Sequence, residues 1–80
     1  MTPAERADLP SLTEKIVHLE TVQGDKLMAK LLFVFDEGET PDLFCVEVER
    51  GQEGTWIEKP EAGYSILLAD VASVKVEPNQ

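Results

Sequence analysis

Residues 64–77 read YSILLADVASVKVE. An apolar run ending at Leu68 is interrupted at Ala69-Asp70, and a second short run, Val71 to Val76, alternates in character. Both runs have the length and β-branched content of strands, and almost nothing separates them. Two strands joined so tightly cannot be connected by a long loop. The break is therefore expected to be a corner, with one strand leaving it to each side of a strongly bent sheet.

Working outward, the preceding residues carry the same signals. From Lys15 the period changes to two: in IVHLETV, Val17, Leu19 and Thr21 share one face while His18 and Glu20 point the other way. Gln23-Gly24-Asp25 supplies turn chemistry. KLMAKLLFVF follows as a long strand, with Leu27, Ala29, Leu31, Phe33 and Phe35 expected on one face and Met28, Lys30, Leu32 and Val34 on the other. After the polar loop DEGETPD, the strand LFCVEVE is expected to turn Phe44, Val46 and Val48 inward and Glu47 and Glu49 outward. TWIE reads as a short continuation beyond the turn at residues 50–54, and Lys59-Pro60-Glu61-Ala62-Gly63 as a further point of punctuation.

At the other end, Thr2-Pro3-Ala4-Glu5 places a hydroxyl at the N-cap, proline at the first helical position and glutamate three residues on. A short helix within residues 1–10 is expected, ended by Pro10. A second box, Ser11-Leu12-Thr13-Glu14, is weaker because β-branched Ile16 and Val17 follow it. The expected fold is mainly β: one domain over 1–80, with a short N-terminal helix and a small five-stranded, strongly bent SH3-like barrel over 15–77. Closure would hide most of the sheet's edges.

Eighty residues are few for one core, since a domain of this size buries only about 60% of its unfolded surface. One cysteine, Cys45, forms no internal disulfide, and the single His18 builds no metal cluster. Assembly with a partner subunit is the remaining remedy. No apolar run approaches membrane-spanning length, and no basic stretch leads into an apolar one, so cytoplasmic residence without membrane contact is the expectation. Sixteen Asp and Glu against seven Lys and Arg give a net charge of −9, spread along the chain. Nucleic acid demands cations that displace condensed counterions, so this charge disfavours RNA and serves solubility.

With that order of elements, the chain resembles the Sm-like family, which includes the Sm and LSm proteins and Hfq. IVHLETVQGDKLMAKLLFVFD is similar to the family's first motif, with Gly24 in the turn, Ala29 and Leu31 after it, and Asp36 at the end. GYSILLADVASVKV resembles the family's last two strands. The resemblance implies a homo-oligomer, in the family's case a ring, with Ile66, Leu67, Leu68, Val71, Val74 and Val76 at the subunit boundary. It also points to Asp36 and Asp70 as candidate ligand or RNA positions, and the large amphipathic aromatics Trp56 and Tyr64 are candidates by residue type. Several residues depart from the pattern. Ala29 stands where a second glycine is usual, Asp36 comes one residue late, no asparagine follows it, Ala69-Asp70 replaces the basic or glycine residue of the last turn, and RGQEGTWIEKPEAG is long.

No residues assemble catalysis. His18 has no neighbouring nucleophile in sequence, and Cys45 lies among apolar residues as a packed thiol. The acids of DEGETPD do not follow a calcium-loop spacing and read as a solvated loop. Trp56 and Tyr64 suit a barrel end or a subunit contact better than base stacking. The expected protein is non-enzymatic and without cofactor or metal. It acts through an oligomer surface. The alternatives are an RNA-binding Sm-like protein and an acidic adaptor or nucleic-acid mimic that binds a basic protein.

Overall fold

A computed structural model describes residues 1–78; of the single domain expected over 1–80, the last two residues lie outside the described ones. Helix α1 spans Pro3–Asp8, and five strands follow: β1 Ile16–Thr21, β2 Lys26–Phe35, β3 Asp42–Arg50, β4 Trp56–Leu67 and β5 Val71–Val76. They form one antiparallel sheet in the order β4-β3-β2-β1-β5. The chain is thus mainly β with a short N-terminal helix. The sheet does not close: β4 pairs only with β3, and β5 only with β1.

Helix α1 begins as its sequence dictates. Thr2 Oγ1 accepts the Glu5 N–H at 3.1 Å, and Pro3 occupies the first turn. Pro10 does not end the helical path. The chain tightens into a 3₁₀ turn over Leu9–Leu12 that carries Pro10 in its first turn, where a missing N–H costs nothing. The Ser11–Glu14 box starts no second α-helix; Ser11 and Leu12 lie in the 3₁₀ turn, and Glu14 takes φ 69° at the bend into β1. Leu9 is buried by this segment, with Leu12 packed beside it on the core.

The core joins Leu9 to Leu19, Ala29, Leu31, Leu43, Cys45, Leu68 and Val71. On β1 the expected alternation is present: Val17 and Leu19 are buried and His18 is exposed. Beyond Leu31 the expected faces of β2 and β3 are corrected. The register passes from Leu31↔Cys45 to Phe33↔Phe44, so Leu32 is an extra residue on β2. Such a bulge inverts every later side chain. Val34 therefore packs on the core, while Phe33 and Phe35 are exposed. On β3 it is Leu43 and Cys45 that are fully buried, and Phe44 and Val46 take the opposite face. Val48 is buried as expected.

The punctuation at residues 59–63 is also corrected. It lies inside β4, where the register passes from Val46↔Gly63 to Val48↔Glu58. Glu61 there takes φ 57°, and the surplus residues bulge without ending the strand.

Leu68–Asp70 forms a 3₁₀ turn and is the corner between β4 and β5. The Leu68 N–H donates to the Pro41 carbonyl at 2.9 Å, and the Asp70 carbonyl accepts from the Val22 N–H at 2.9 Å. This corner joins opposite edges of the sheet. In a flat five-stranded sheet those edges lie about 19 Å apart, four strand spacings. Four steps of chain from Leu67 to Val71 reach at most about 14 Å. The sheet must curl for this sequence to connect.

Candidate functional site

Curling without closure leaves two strand edges whose outward backbone groups have no sheet partner among the described residues. The two edges differ in how they are guarded. The first half of β4 carries Glu58, Lys59, Pro60 and Glu61 and the bulge, all of which obstruct strand addition. Its second half, Gly63–Leu67, has no charge and no proline, and Tyr64 and Leu67 are exposed. The β5 edge carries a single charge, Lys75.

The six residues expected at a subunit boundary divide between two environments. Leu68 and Val71 are buried in the chain's own core, with Ile66 and Val74 packed partly buried against it. Leu67 and Val76 face solvent. The structure therefore brings four of these side chains together inside the protomer and leaves two available outside. Sequence pattern did not separate them, because this run is apolar on both faces, while the extended chain through Leu67 turns Ile66 and Leu68 inward and Leu67 outward.

Asp36, Trp56, Tyr64 and Asp70 do not converge. Asp36 follows β2 and is held by Arg6, whose Nη2 and Nε donate to Oδ1 at 2.6 and 3.1 Å. That contact raises the Arg6 pKa above its ordinary value. Trp56 is at the opposite end of β4, paired with Arg50, whose guanidinium lies 4.6 Å from the indole centroid. Tyr64 donates to Glu47 at 3.4 Å, and Lys59 Nζ donates to the same carboxylate at 3.0 Å. The hydrogen bond to Glu47 is the main cause of the raised Lys59 pKa. Tyr64, Glu47, Leu27 and Ile66 border an open groove of about 360 Å³. Asp70 lies in the corner, where its backbone carbonyl is the group engaged by Val22.

The lysines are largely spent on neighbouring acids, Lys26 lying near Glu20 and Lys30 near Glu58, and the His18 ring contacts Glu77. Cys45 is buried, and its thiol is pushed up to about 11 by desolvation, with Glu47 adding to the effect. It is a packing group and a poor nucleophile at neutral pH. Among the described residues no group of three or more His, Cys, Asp or Glu side chains is placed to hold a metal ion. Among the described residues no helix is long and apolar enough to cross a membrane. No family model, curated protein or solved structure matches this chain.

Proposed function

We propose that the chain is a non-enzymatic, self-assembling Sm-like protein, built as a small, strongly bent SH3-like barrel that another copy completes. The single observation that carries this reading is the pair of unfilled edges, the uncharged Gly63–Leu67 half of β4 and the short β5 strand. A β4 edge on one copy and a β5 edge on the next are different surfaces. Their pairing is head-to-tail and generates a ring if the rotation closes. Main-chain hydrogen bonds would supply the contact, with Leu67 and Val76 adding apolar area. The protein's role then belongs to the surface of the assembly.

Light scattering tests this directly. The expected mass is several-fold above the 8.9 kDa of one chain. The exposed positions allow a control that leaves the core alone: Leu67→Lys combined with Val76→Lys is expected to lower the mass while preserving the β-sheet circular dichroism. A wild-type monomer at micromolar concentration overturns the proposal. Filter binding of poly(U) and poly(A) at two salt concentrations separates the RNA-binding alternative, which requires retention that weakens as salt rises.

A further inference from the structure

The bulge at Leu32 produces a surface that sequence periodicity concealed. On the face of β2, β3 and β4 turned away from the core, the registers set Phe33, Phe44 and Ser65 in one row. Phe35, Asp42 and Leu67 form the next. Phe33 and Phe35 are each 53% exposed, and Leu67 is 44% exposed. The Phe33 and Phe44 rings are stacked, with centroids 5.9 Å apart. A carboxylate stands among these apolar groups: Asp42 is half-buried, and its Oδ2 accepts from Ser65 Oγ at 2.7 Å.

No Lys or Arg among the described residues pairs with Asp42. The adjoining loop adds Glu37 and Glu39, both exposed, while Arg6 is committed to Asp36. The platform is thus aromatic and negatively charged. A guanidinium fits that combination better than an ammonium, because it stacks on aromatic faces and offers a planar fork of donors to a carboxylate.

We propose that this platform docks an arginine-bearing basic segment of another protein. A second copy of this chain is a poor source of that group, since its two arginines are engaged, Arg6 with Asp36 and Arg50 over Trp56. A polyanion is repelled by the same charges that attract arginine. The proposal does not depend on self-assembly. It concerns the sheet's outer face and self-assembly concerns the sheet's edges; the two surfaces overlap at Ser65 and Leu67, which the peptide-binding substitutions leave unchanged.

The test uses the full chain with fluorescein-labelled, end-capped octa-arginine and octa-lysine, read by anisotropy at low salt. Octa-arginine is expected to bind several-fold more tightly. Asp42→Asn is expected to weaken octa-arginine about three- to tenfold, as befits a hydrogen-bonded charge pair near the surface. Phe33→Ser, and separately Phe35→Ser, should weaken it about two- to fivefold through the lost cation–π contact. Glu53→Gln, at the distant β3–β4 turn, removes the same charge and should leave binding unchanged. Amide shifts in the octa-arginine titration should localise to residues 33–44 and 65–67. Equal affinities for the two peptides, an equal response to Glu53→Gln and Asp42→Asn, or no binding at all would each overturn the proposal. So would platform substitutions that alter the light-scattering mass and not the peptide affinity, an outcome that assigns the surface to a self-contact.

Discussion

Gly63 lies directly against the ring of Phe44: a Cβ placed on Gly63 would stand 3.0 Å from Phe44 Cζ. Because Phe44 is also stacked on Phe33, the absence of a side chain on β4 sets the position of two rings on β3 and β2. Gly63→Val is expected to destabilise the fold by about 1–3 kcal/mol, the usual range for overpacking. In a Phe44→Ala background the same substitution should cost much less, since the obstructing ring is gone. A double-mutant cycle by urea denaturation measures the coupling; additive effects would show that the two residues do not constrain one another.

Buried Cys45 makes stability depend on alkaline pH. Its folded pKa, about 11, lies above the ordinary thiol value. Below the unfolded pKa both states are protonated and the contribution is fully present. Between the two values only the unfolded chain releases its proton, so stability falls as pH rises through that window, by on the order of 2 kcal/mol for a shift of this size. Urea midpoints from pH 8 to 11 should decline in the wild type and decline less in Cys45→Ala. Iodoacetamide should label native protein at pH 8 far more slowly than unfolded protein.

The corner offers a contrast between adjacent residues. Leu68 is buried and Leu67 is exposed. Leu68→Ala should cost about 2–4 kcal/mol in the unfolding free energy, through lost burial and the cavity left behind. Leu67→Ala should cost less than about 1 kcal/mol. Similar values for the two would contradict the alternation of the chain through Leu67, which turns the two side chains to opposite faces.

Arg6 and Asp36 tie the N-terminal helix to the end of β2, yet both side chains are about two-fifths exposed. Solvent and salt screen such pairs, so Arg6→Ala is expected to lower the urea midpoint only slightly. The loss should shrink further at high ionic strength. Denaturation at low and high salt checks both statements.

Much of this architecture was legible because one face or one cap residue was marked chemically. His18 and Glu20 gave β1 its phase, and Thr2 with Glu5 gave α1 its beginning. In KLMAKLLFVF and LFCV, apolar side chains occupy both parities, so no polar residue announces that Leu32 is surplus to the ladder. Only pairing with β3 determines it. Pro60 and Glu61 posed a related ambiguity. A strand end and an internal bulge use the same residues, and the pairing of Val46 with Gly63 and of Val48 with Glu58 on either side decides between them. The acidic aromatic face was hidden for the same reason, since Phe33 and Phe35 carry the character of core residues and lie outside only because the ladder slips by one.

The Leu68–Asp70 segment behaves as a drawstring for the whole molecule. Its brevity alone obliges the sheet to curl, whatever side chains it carries. Two glycines inserted between Ala69 and Asp70 would slacken it, letting the sheet open while each strand kept its existing neighbours. The groove beside Tyr64 is expected to widen with it, although no residue of the corner lines that groove.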